Sequence, residues 1–186
     1  MKKILLVAAL AMMSAAAVAQ PKFAHVNFTE LVQLMPEADK ARATIDASSK
    51  EASETYQAMV DEFDTKYRQY QQKASTWSQA TRESKEKELT DIQQRIQEFQ
   101  QNIQVELQQL QQQLMAPIYQ KAQDVIKDLA KKGGYLYVVD ESTVLYLDPA
   151  QSTDLTPAAR KELGIPEGRT LESLQAEMMA QAEQAQ

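Results

Sequence analysis

LTDIQQRIQEFQQNI, Leu89 to Ile103, is the stretch whose reading decides the fold. Leu89, Ile92, Ile96, Phe99 and Ile103 are spaced three, four, three and four residues apart. That alternation is the seam of a coiled coil rather than the broader apolar face of a core helix. Working outward, the seam lies within Glu37 to Ala116, between Pro36 and Pro117, and neither Pro nor Gly interrupts that span. It is too long for an ordinary globular helix and suits two long arms. On the earlier side Ile45, Ser49, Ala52, Tyr56, Met59 and Phe63 repeat the alternation; Tyr67 breaks it once and Tyr70 restores it. Between the seams, at Ala74-Ser75-Thr76-Trp77-Ser78-Gln79, the heptads lapse. The two prolines are symmetric about Trp77, which predicts one antiparallel helical hairpin over 37–116 with its tip at 74–80. Each arm should reach about 50–55 Å at roughly 1.5 Å per residue.

The expected pairing sets Phe63 against Leu89, Val60 against Ile92, Tyr56 against Ile96 and Ile45 against Leu107. It sets Ser49 against Ile103 and Ser53 against Phe99. A small polar residue opposite a large apolar one forfeits burial, so the lower arm should be underpacked and easily bent. The aromatic and Met side chains gather toward the tip, and Met59, Tyr67, Tyr70 and Trp77 are the candidate contacts for a bound partner. The glutamines of the second arm, Gln93 to Gln113, fill solvated heptad positions, where Gln is a good helix former.

The chain begins with Lys2-Lys3, an apolar run from Ile4 to Met13, and Ala17-Val18-Ala19. This reads as a signal peptide over 1–19, too short in its apolar run to span a membrane. With no Cys there is neither a disulfide nor a lipid-attachment thiol, so a soluble product in the periplasm is expected. Losing Lys2 and Lys3 takes the formal net charge from −6 to −8, which argues against nucleic acid as a partner.

A body is expected from 20–36 and 117–163, and a helical tail from 164–186. Phe23 to Phe28 alternates as a strand, and Thr29 should cap a short helix, Glu30 to Met35, that Pro36 stops. Pro117 should kink the second arm, whose helical spacing resumes at Ile118 and ends at Gly133-Gly134. Tyr135 to Val139, turn residues Asp140-Glu141-Ser142, and Thr143 to Leu147 read as a β-hairpin. Thr156-Pro157 starts a short helix, and Thr170 should cap a last one from Leu171 to about Ala182. Three short strands leave Phe23, Val26, Phe28, Leu136, Val138, Val144, Leu145, Tyr146 and Leu147 in need of cover. A closed oligomer held through Phe23, Val26, Phe28, Leu136, Val138, Val144 and Tyr146 would supply it.

No chemistry of an enzyme is legible. His25 is the only histidine and has no orienting partner in sequence, Asp140 and Glu141 fit a turn, and neither a Gly-rich phosphate loop nor metal-ligand spacing occurs. No cofactor or metal is expected.

The strand FAHVNF, a short helix, a long hairpin, then YLYVVDESTVLYLD and the following Asp154-Leu155-Thr156-Pro157 resemble the Skp/OmpH family of periplasmic chaperones. Val138 to Tyr146 is the most recognisable segment, and the resemblance covers Lys22 to Leu163. It implies a mainly α fold with a small β body: a trimeric β-barrel into which a long coiled-coil hairpin, or tentacle, is inserted. It also implies a cavity between three such arms that holds unfolded outer-membrane proteins without nucleotide. From Glu37 to Lys132 there are 16 acidic and 14 basic residues, a near balance that argues against the lipid or lipopolysaccharide binding of more basic relatives. A structural coiled-coil spacer or adaptor of the cell envelope is the alternative; it would carry a rigid, well-packed seam.

Overall fold

The computed structural model describes residues 21–184. The predicted signal peptide lies outside the described residues. Strand β1, Lys22–Val26, opens the chain and leads into helix α1, Phe28–Leu34. The cap of α1 is Asn27 rather than Thr29: the Asn27 side chain accepts the Glu30 amide at 2.8 Å. Helix α1 ends before Pro36, with Met35 extended, and Pro36 is also the first residue of helix α2, Pro36–Lys73. There its missing N–H costs no hydrogen bond, because first-turn amides have no intrahelical partner. Ala74–Thr76 makes a single 3-10 turn, and Ser78 caps helix α3, Gln79–Gly133, by accepting the Thr81 amide. Pro117 lies inside α3, which continues through it for another sixteen residues to Gly133. Gly134 then takes a left-handed conformation at φ 67°, and its N–H closes onto the Ala130 and Lys131 carbonyls.

The two long helices lie side by side. Glu37 meets Lys121, Glu62 meets Arg95, Lys66 meets Glu88 and Tyr70 meets Glu86, so rising numbers in α2 face falling numbers in α3.

Strand β2, Tyr135–Asp140, pairs parallel with β1, and strand β3, Ser152–Asp154, pairs parallel with the other edge of β1. The order is β2-β1-β3. The predicted β-hairpin between Tyr135–Val139 and Thr143–Leu147 does not form. Asp140 turns the chain instead: its carboxylate accepts from the Ser142 amide at 3.2 Å and hydroxyl at 2.8 Å, opening a 3-10 turn at Glu141–Thr143. Val144 to Leu147 therefore run as an unpaired loop, and the third strand is the polar Ser152–Asp154.

Helix α4, Thr156–Glu162, and helix α5, Leu171–Gln184, complete the chain. Thr170 and Ser173 cap α5 reciprocally, each side-chain oxygen accepting the other's amide at 3.1 and 3.0 Å. The predicted end of this helix, near Ala182, extends to Gln184. Ala24 and Val26 from β1 meet Leu31, Leu34 and Met35, Ala38 and Ala41 at the foot of α2, and Ile118 and Ala122 of α3. Leu155, Ala159, Leu163, Ile165 and Leu174 close this core from the C-terminal side. Burying a Leu such as Leu31 or Leu34 contributes about 1.5–3 kcal/mol. Two residues read as arm, Ala38 and Ala41, thus sit in the body's core.

Candidate functional site

Along the arms, side-chain size decides where α2 and α3 touch. In the half nearer the tip Ile92 is fully packed, at 2% exposure, and Phe63 stacks on Tyr67 with ring centroids 5.8 Å apart. Tyr70 meets Trp77 edge-on at 5.9 Å and donates its hydroxyl hydrogen to Glu86 on the opposite helix. Of the candidate contact residues, Tyr67 is exposed at 44%, whereas Met59, Tyr70 and Trp77 are half-buried. Tyr70 and Trp77 are spent on each other at the turn; Tyr67 offers the freest aromatic surface of the four.

Lower down, the same pairing runs into the serines. Ser49, Ala52, Ser53 and Tyr56 of α2 and Phe99, Ile103 and Leu107 of α3 line an open groove of about 400 Å³, with Ser49 and Ser53 exposed and Ala52 half-buried. The structure thus brings Ser49 and Ser53 together with Phe99 and Ile103. A hydroxymethyl group is too short to reach the opposite helix, so the large side chains of α3 keep an unfilled flank.

Charge staples the arm above and below this gap. Lys66 and Lys85 both hold Glu88, whose carboxyl is lowered to about 2, first by the hydrogen bond from Lys66 and then by that from Lys85. The same pairing raises the Lys66 ammonium. The phenol of Tyr70 is also raised, chiefly because it donates to Glu86. Arg95 meets Glu62 at 3.2 Å. At the foot, Lys121 holds Glu37 and keeps its carboxyl below the usual range. Among the described residues no cross-arm ion pair falls between the Glu62–Arg95 and Glu37–Lys121 staples.

The body presents a different surface. Phe23 stacks on Tyr137 at 5.5 Å, and both are exposed, at 36% and 59%. Leu136 is 59% exposed, Val144 38%, Leu145 108% and Tyr146 80%. Of the residues predicted to join subunits, Phe28 is half-buried against Tyr119, Val138 is half-buried, and Val26 is taken up by the chain's own core. Sequence reasoning left Tyr137 off that list. Its alternation with Tyr135 in a strand was the available signal, but which face is covered depends on helix packing.

The polar residues weighed as chemistry have structural partners. His25 is buried and its Nδ1 lies 2.9 Å from the Ser152 hydroxyl, joining β1 to β3. Asp140 accepts from the Phe28 backbone amide at 3.4 Å and Glu141 from the Asn27 side-chain Nδ2 at 2.7 Å, fixing the turn to the start of α1. Among the described residues no helix is long and apolar enough to cross a membrane.

Comparison with known proteins agrees with this architecture. The family model described as outer membrane protein (OmpH-like) matches residues 22–163. The chaperone protein Skp of Yersinia enterocolitica is 28% identical over 165 residues, covering 88% of this chain and 99% of its own. Skp of Yersinia pseudotuberculosis is 32% identical over 166 residues, with the same coverage. A crystal structure of an OmpH-like protein from Caulobacter crescentus superposes with a TM-score of 0.68 at 18% identity, covering 78% of this chain and 85% of that one. With long helices on a small three-stranded body, and the family's pattern matched from Lys22 to Leu163, this chain belongs to the Skp/OmpH family.

Proposed function

We propose that this chain is an ATP-independent periplasmic holdase, which encloses unfolded outer-membrane proteins between helical arms and keeps them from aggregating. In this reading α2 and the first part of α3 form an antiparallel coiled-coil hairpin, and three subunits join through their β bodies into one barrel. The gap at Ser49, Ser53, Phe99 and Ile103 carries the reading. Holding clients of different size needs arms that are helical yet compliant, and a seam with a void bends where packing is lost. A spacer or adaptor gains nothing from such a void.

The apolar surface of Leu136, Tyr137, Val144, Leu145 and Tyr146 supports the oligomer, since a three-stranded sheet with two open edges buries too little alone. The signal-peptide pattern read at 1–19 is in keeping with export, and kinship with Skp chaperones supports the client class. Clients are held by weak contacts spread over the arms, with Tyr67 more exposed than Met59, Tyr70 or Trp77, and without lipid or nucleic acid as partner.

The test is dilution of a urea-unfolded outer-membrane protein into buffer with the mature chain, followed by light scattering. Suppression of aggregation at near-stoichiometric trimer, without nucleotide, is the expected result. Scattering equal to that of buffer alone would sink the holdase reading.

A further inference from the structure

The segment after Leu163 lies beyond the region matched by the family model, and nothing above gives it a task. It does not trail away from the body. Leu163, Ile165 and Leu174 are buried in the core, so α5 is seated by its own apolar residues. Arg169, just before α5, reaches the first turns of the arm: its guanidinium donates to Asp39 of α2 at 2.7 Å and lies 3.6 Å from Glu177 of α5. The Arg169 side chain is 17% exposed and Asp39 38%, so the guanidinium end of this pair is shielded from solvent. The network continues on both sides. Asp39 also holds Arg42, which donates to the Gln33 carbonyl, and Arg160 joins Glu30 of α1 to the Arg169 carbonyl.

From that anchor α5 runs beside the lower arm. Leu174, Met178 and Gln181 line one wall of a cleft of about 500 Å³, with Ile45, Asp46 and Gln111 on the other. The seam gap begins at Ser49, one helical turn above Ile45. Everything below the gap is tied to the body by Arg169, Glu37–Lys121 and the core contacts of Ala38 and Ala41. Among the described residues nothing from the tail lines the groove, whose walls come from α2 and α3.

We propose that the C-terminal tail is a strap: Arg169, seated by α5 on the body, holds the foot of the arm at Asp39 and so confines arm bending to the length above it, where the groove between Ser49 and Phe99 begins. This goes beyond the holding of clients, because it concerns where the empty arm bends.

The experiment is hydrogen exchange by mass spectrometry on the full chain carrying Arg169→Gln. The expected result is exchange about threefold or more faster in peptides spanning Asp39 to Ala47, with α1 and the tip unchanged. Spin labels at an arm-tip and a body position should show a broader distance distribution in the variant. Exchange in the lower arm equal to that of the unaltered chain overturns the proposal. So does a parallel rise across α1 and β1, which would mean that Arg169 serves body stability only. Should Arg169→Gln fail to fold, Asp39→Asn removes the arm's half of the same contact, and the same two outcomes decide.

Discussion

Ser49 and Ser53 are exposed and border the groove that Phe99 and Ile103 line from the opposite helix. Replacing both with Leu covers part of the groove, and each contributes at most about 1.5 kcal/mol because only part of the side chain is buried. The Ser49→Leu, Ser53→Leu variant should melt at a higher temperature and exchange more slowly in the mid-arm, while holding less of the largest clients. If it is stiffer by exchange yet holds large clients as well as before, compliance at the gap is not the mechanism. Glu88 offers a second test at this scale. Its folded pKa of about 2 lies below its ordinary 4.5, so it contributes stability above pH 4.5 that is lost as pH falls through 2. With about a third of each partner's side chain exposed, the contribution is modest and screened by salt. The extra exchange protection of the unaltered tip over Glu88→Gln should therefore be full at pH 6 and absent by pH 2. A difference that does not change with pH would show that Lys66 and Lys85 do not act through the Glu88 charge.

At the scale of the element, the arms combine near charge balance with a Gln-rich face, so client contact should be apolar and polar rather than ionic. Affinity for an unfolded outer-membrane protein should change less than about tenfold between low and physiological salt. A steeper loss, measured by fluorescence titration, would show that charge dominates the contact. Helix α3 also joins arm to body without a break, since Ile118 and Ala122 belong to the core while Ile92 packs in the arm. Bending of an arm is therefore bending of a helix anchored at one end, and the unfilled part of the seam is its softest length.

For the whole molecule, the proposed oligomer rests on the body and not on the arms. Ala38, Ala41 and Ile118 are core residues, so a cut at the predicted arm boundaries would damage the body as well. Excising Ser49 to Ile103 and bridging the ends keeps that core. The shortened chain should sediment as the same oligomer as the full one. A monomer would move the interface onto the arms. The same chain should lose aggregation suppression, because the enclosing elements are gone.

The long helices were legible because their cause is local. An unbroken span of good helix formers with a heptad seam has no competing structure to adopt, and Gly133-Gly134 ends the second helix by chain geometry alone. The lower arm was legible only in part: small residues beside Phe99 and Ile103 are read from sequence, but Ser49 and Ser53 are exposed while Ser48 and Ala52 turn further inward. Strands β1 and β2 followed from alternation. The third strand did not. Thr143 to Leu147 alternates well yet stays unpaired, while Ser152–Asp154, with no apolar residue, pairs with β1. Local pattern gives a segment's propensity, but pairing is settled by where the turns and the packed helices carry each segment. Tertiary structure likewise decided that Val26 turns inward while Tyr137 and Leu145 face out, and that the tail folds back on the arm. Those outcomes depend on contacts between residues more than a hundred positions apart, and no local rule in the sequence encodes them.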